Sequence, residues 1–164
     1  MAFIDNILNK ITMYRLVLYV LIALLAVAVL FCFFGLLPYK PVDLIFSILL
    51  IVGICWGSNY VFAKWSGATP NVESVYITAF ILALILAPTA PNSLAGIGSL
   101  IFVSVAAIAS KYILAIRKKH VFNPAAFGVA LSALILGQSA TWWIDGNLVL
   151  LHFVLLGGLL IVRK

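Results

Sequence analysis

Residues 16–34 read LVLYVLIALLAVAVLFCFF, with no charged side chain among them. At 1.5 Å of rise per residue, about 20 helical residues cross the roughly 30 Å hydrocarbon core of a bilayer. The run is continuously apolar. A lipid-facing barrel strand would alternate apolar and polar residues instead. A transmembrane helix is the reading that fits.

The rest of the chain has the same character. Over 164 residues, 66% are hydrophobic and 9% are charged, and the mean hydropathy is +1.27. A soluble domain carries about 25% charged residues, because its surface must stay wet. Ten basic and four acidic side chains are too few for that task. The composition excludes a soluble globular enzyme, a disordered chain and a disulfide scaffold. The expected fold class is all-α, a polytopic membrane bundle of about six transmembrane helices.

The spans are expected over residues 14–37, 43–64, 71–88, 93–116, 124–143 and 147–162. Together they make one six-span membrane domain over 14–164. Short connections imply that consecutive helices are antiparallel neighbours. Residues 1–13 form an expected interfacial amphipathic helix: Phe3, Ile4, Ile7, Leu8 and Ile11 share one face, and Asp5, Asn6, Asn9 and Lys10 the other. A weak internal similarity links residues 79–86 (AFILALIL) with 126–131 (AFGVAL).

Orientation follows from the basic residues. With the N-terminus inside, Lys10, Arg15, Lys64, Arg117, Lys118, Lys119, Arg163 and Lys164 are all cytoplasmic, and Lys40 faces out. Both termini are then cytoplasmic, and the expected location is the cell's inner (plasma) membrane, as a multi-pass protein in the lipid bilayer. The net charge of +6 thereby reports topology and not nucleic-acid binding. Trp142 and Trp143 are expected at the outer interface and Trp65 at the inner one.

Polar residues gather at the expected cytoplasmic ends of spans two to five, in residues 64–74 (KWSGATPNVES) and 117–126 (RKKHVFNPAA). Asn123-Pro124 is a helix-start signature. Asn caps orphan N–H groups, and proline fits the first helical position. Thr69-Pro70-Asn71 starts span three in a similar way. Two helix N-termini beside Lys111, Lys118 and Lys119 make a positive field suited to an anion or an electron-rich ring. Capping and positive-inside topology account for the same residues without a ligand. Lys111 is expected about two turns inside span four, where it snorkels, pairs with Glu73 or meets an anionic ligand.

Cys32 and Cys55 fall in apolar runs at different depths, so no disulfide is expected. Two thiols are too few for an iron–sulfur cluster. His120 and His152 lie on opposite sides, so no haem is expected. No metal-ligand spacing and no catalytic triad is present.

The Phe122-Asn123-Pro124-Ala125-Ala126-Phe127 motif follows a basic turn and opens an apolar helix. With Lys111-Tyr112, Asn71-Val72-Glu73-Ser74, Trp142-Trp143 and the terminal Gly157-Gly158, it resembles the RnfD/NqrB family over residues 71–164. These are flavin-carrying membrane subunits of ion-translocating electron-transport complexes. The pattern is most similar to members fused to a ferredoxin-reductase-like module. The resemblance implies a flavin, FMN or riboflavin, at the cytoplasmic ends of spans three to five. Lys111, Lys119, His120, Asn123, Asn71, Glu73 and Ser74 are the implied contacts.

Ser66-Gly67-Ala68-Thr69 is similar to the family's covalent FMN motif and implies attachment at Thr69. Here, however, it precedes the Asn-Pro-Ala helix, whereas in the family it follows. Non-covalent binding is therefore the leading expectation. The implied partners are a cytoplasmic FAD/NAD(P)H reductase module and other membrane subunits. Family members are longer, which implies a first-half-like fragment holding part of a flavin-dependent oxidoreductase and no complete active site. Two other readings stay open. One is a channel or transporter with an aquaporin-like Asn-Pro-Ala helix start. The other is a ligand-free structural subunit.

Overall fold

The computed structural model describes residues 11–68, 72–116, 119–120, 122–144 and 147–163. The expected interfacial helix therefore lies mostly outside the described residues. Six helices follow in order: α1 (Met13–Phe33), α2 (Pro41–Ser66), α3 (Val72–Ile85), α4 (Leu94–Ile113), α5 (Pro124–Leu136) and α6 (Leu148–Arg163). A two-residue antiparallel pairing, β1 (Ala115–Ile116) with β2 (Lys119–His120), joins α4 to α5.

Three helices, α1, α2 and α4, are long and apolar enough to cross a membrane. The other three are apolar but shorter. At 1.5 Å per residue, α3 and α5 are only about 21 and 20 Å long. Residues 71–88 and 124–143 were each expected to form one continuous helix. Instead α3 stops at Ile85 and α5 at Leu136, and an irregular segment follows each. Gly137, with φ 67°, turns the chain out of α5. A residue in this left-handed conformation ends the helical hydrogen-bond pattern, and glycine adopts it without a Cβ penalty.

The freed carbonyls of α3 are bonded by the segment that follows α5. Ile85 O accepts from Thr141 N at 2.9 Å and Trp142 N at 3.2 Å. Thr141 Oγ1 donates to the same oxygen at 3.3 Å, and Trp143 Nε1 donates to Ala83 O at 3.1 Å. Trp143 is thus a core residue, packed edge-on against Tyr39, and not the interfacial anchor expected of it. Trp142 is the one non-glycine residue with positive φ among those described, at 46°.

The principal contacts place the helices in the neighbour order α5-α4-α2-α3-α1-α6. Consecutive helices are therefore not always the closest partners. α1 packs mainly on α3 and α6, and only lightly on α2. The closest approach is made by small residues. A Cβ added at Gly128 of α5 would lie 2.7 Å from Val103 O and 2.9 Å from Ala107 Cβ of α4. Gly157 of α6 likewise lets Val20 of α1 approach. Small residues at crossings are the usual route to tight helix packing where the surroundings are as apolar as the helices. Large apolar side chains such as Leu94, Leu134 and Val162 stay exposed around the bundle.

Gly128→Ala should therefore destabilise the protein by about 1–3 kcal/mol through overpacking against α4. Gly98→Ala, where no atom lies within 4 Å of the new Cβ, should not. Melting followed by circular dichroism in detergent distinguishes them, and equal midpoints would contradict the described crossing.

Candidate functional site

The up-and-down path brings the starts of α1, α3 and α5 and the ends of α2, α4 and α6 to one end of the bundle, called here the basic end. Glu73 and Ser74 stand in the first turn of α3, and Lys111 in the last turn of α4. The expectation had α4 running on to residue 116, which put Lys111 two turns deep. The helix ends at Ile113, so its cation sits where the negative end of the helix dipole favours it. It is buried all the same, at 7% exposure, because α3 covers it.

Lys111 Nζ donates to Ser74 O at 2.8 Å and to Ser74 Oγ at 3.1 Å. The same carbonyl accepts from Thr78 Oγ1 at 2.9 Å. Glu73, the other expected partner, turns away. Its Oε1 meets Arg15 Nε at 3.0 Å and ties the starts of α1 and α3 together. That pair is exposed and screened, so it contributes little to stability. Among the described residues, the Lys111 ammonium thus has oxygen acceptors but no carboxylate within bridging distance.

A second polar tie lies beside it. Tyr112 OH donates to Asn59 Oδ1 at 2.7 Å, which joins α4 to a buried amide of α2. Phe62 stacks on the Tyr112 ring at 6.0 Å between centroids. Cys55, on the same helix as Asn59, is fully buried. Sequence reasoning did not single out Asn59, although an Asn amid apolar residues of a long span is a legible signal.

Asn123 behaves as its motif predicts. Its side chain accepts from Ala125 N at 3.0 Å, with Pro124 at the first helical position, and it is exposed at the start of α5. Lys119 and His120 are placed by their backbone in β2, whose pairing with β1 folds them back toward the end of α4. Their side chains, and all of Thr69 and Asn71, lie outside the described residues. The Ser66-Gly67-Ala68 stretch has a local role. Gly67, with φ 64°, ends α2, and Ser66 Oγ bonds Ala63 O at 3.4 Å. Of the expected contacts, the structure joins Lys111 with Ser74 directly and turns the Glu73 carboxylate to Arg15 instead.

At the opposite end lies a partly open cavity of about 290 Å³ that the sequence did not suggest. The irregular segments after α3 and α5 form much of its wall, with α4 and α5 completing it. Its polar lining comprises Thr89, Ser99, Ser132, Gln138, Ser139 and Thr141. The signal was present in Gly137-Gln138-Ser139-Ala140-Thr141, a run too polar for the middle of a membrane helix. Cys32 and Cys55 are both free thiols in the core. Among the described residues, no group of His, Cys, Asp and Glu is disposed to hold a metal ion.

Searches of protein-family models, curated proteins and solved structures gave no match to this chain.

Tyr112→Phe should cost about 1–3 kcal/mol, because the buried Asn59 amide loses its hydroxyl partner. Adding Asn59→Leu should recover part of that loss. Unfolding of the single and double variants in detergent measures the coupling; strictly additive losses would mean that the bond contributes nothing.

Proposed function

We propose that this chain is a membrane electron-transfer module that binds a flavin, FMN or riboflavin, non-covalently at the basic end of α3–α5. The observation that carries the reading is the buried Lys111 ammonium, held by Ser74 with no carboxylate in bridging distance among the described residues, eleven residues before the Phe122–Phe127 motif. A cation removed from water retains a strong preference for a nearby anion. The exposed, Asn-capped start of α5 adds a second positive element at the same end.

A bound flavin supplies the redox chemistry, accepting and releasing electrons at its ring system. The chain's own residues bind and tune it. Lys111 offers positive charge toward the anionic part, whether phosphate or reduced ring. Ser74 fixes the lysine's position through two oxygens. Asn123 keeps the start of α5 in place, and the backbone of Lys119 and His120 stands in β2 beside the end of α4. In this reading a cytoplasmic FAD/NAD(P)H reductase delivers electrons to the basic end, and the module passes them into or across the plasma membrane.

All six helices cross in this reading, with both termini cytoplasmic. α3 and α5 are short for a hydrocarbon core of about 30 Å. They cross together with the irregular segments that follow them. Irregular backbone is tolerated at membrane depth where it is buried in protein or lines a water-filled cavity, and the place of residues 86–89, 138, 139 and 141 in a cavity wall supports this reading.

The protein purified in detergent and reconstituted with FMN or riboflavin should show flavin absorbance. Lys111→Met should weaken binding at least about tenfold, equivalent to 1.4 kcal/mol, while melting as a folded protein. Absence of any flavin band after reconstitution, or unchanged affinity in Lys111→Met, would overturn the reading. Acid-stable flavin lost in Thr69→Ala would instead establish covalent attachment.

A further inference from the structure

We infer that the cavity at the end opposite Lys111 is a binding site for a small, uncharged, hydrogen-bonding solute of the polyol or amide class. Its volume of about 290 Å³ corresponds to on the order of ten water molecules at about 30 Å³ each. That is far more room than one dehydrated ion fills. It stands apart from the basic end, so its occupancy does not depend on flavin binding.

Chemistry separates the candidate ligand classes. Among the described residues, no charged side chain lines the cavity. Three of the backbone groups at the helix ends beside it are already engaged. The carbonyls of Ala83 and Ile85, at the end of α3, accept from residues 141–143. Gly96 N, at the start of α4, donates to Ser93 Oγ. An ion here would lose its hydration without meeting opposite charge. What remains are hydroxyls and one amide: Ser99 and Thr141 have already donated their protons and can still accept, and Thr89, Ser139 and the Gln138 NH2 can still donate. Those groups match an uncharged solute that does the same.

The wall is built and not incidental. Thr89 is fastened to α2, its N–H donating to Ser47 Oγ at 2.8 Å. Its side chain lies against Gly96, where an added Cβ would come within 1.9 Å of Thr89 Oγ1. Ser99 Oγ donates to Gln138 Oε1 and ties α4 to the segment after α5. Ser132, a lining residue only 1% exposed, has a hydroxyl with no hydrogen-bond partner among the described residues. A buried hydroxyl left unpaired is costly, but its oxygen is covered in this wall, so a solute reaches it only by displacing neighbouring atoms.

The test is solute protection of a reporter thiol in the full chain, reconstituted in nanodiscs. Ser99→Cys is introduced with the native Cys32 and Cys55 changed to Ala, and reaction with a water-soluble maleimide is timed. About 0.5 M glycerol or acetamide should slow labelling about three- to sixfold, as mass action gives for a dissociation constant near 0.1–0.25 M. Raffinose at the same osmolarity, too bulky to enter, should not. Adding Ser132→Val, with folding confirmed by its melt, should return labelling in glycerol to the unprotected rate. Glycerol and acetamide slowing labelling no more than raffinose does would overturn the proposal. So would protection by sodium chloride alone, or undiminished protection in the Ser132→Val protein.

Discussion

The carbonyl of Ile85 is the point on which this architecture turns. A helix that stops short of spanning an apolar layer leaves its last carbonyls without water to bond. Here Thr141 and Trp142 supply those bonds from a distant part of the chain, and the Trp143 indole satisfies Ala83. The two short helices are therefore one structural unit. α3 can end early because the segment after α5 arrives to meet it, and Gly137 releases α5 in time for that segment to form. The positive φ of Trp142 is strained for a side-chain-bearing residue, and the shared carbonyl helps hold it.

This union organises the two ends differently. At the basic end, α3 and α4 are locked by Lys111 on Ser74, and α2 and α4 by Tyr112 on Asn59. Both locks engage the last turn of α4, which makes that helix the fixed element against which the others are set. At the opposite end, the irregular segments after α3 and α5 leave a cavity whose wall carries hydroxyls and one amide among apolar groups. The chain thus carries a buried cation at one end and uncharged hydroxyls at the other. A charged prosthetic group suits the first and a neutral solute the second.

Much of the fold was legible from the sequence. Continuous apolar runs mark α1, α2 and α4, and Asn123-Pro124 marks the start of α5 as capping chemistry requires. The early ends of α3 and α5 were harder to see. Residues 82–87 are apolar enough to continue a helix, and hydropathy alone does not distinguish a helix from a buried extended strand. Pro88 and the Gly137–Thr141 run carried the information, as did the likeness between residues 79–86 and 126–131, which falls in the two interrupted helices. The candidate site was legible as a set of residues at one end but not as a set of contacts. The spacing of Glu73, Ser74 and Lys111 permitted a Glu73–Lys111 pair. Packing of α1 beside α3 presents Arg15 to Glu73 instead, and no local pattern encodes that choice.

The joining of the two short helices is tested most directly by oxidative cross-linking. Cysteines at positions 85 and 141, in a chain whose Cys32 and Cys55 are Ala, occupy residues with directly hydrogen-bonded backbones. A near-complete intramolecular disulfide is the predicted result. Were α5 to run on as a regular helix, position 141 would lie about 7.5 Å beyond Leu136 along its axis, carried away from Ile85. Failure to cross-link in a folded, monodisperse protein would contradict the account.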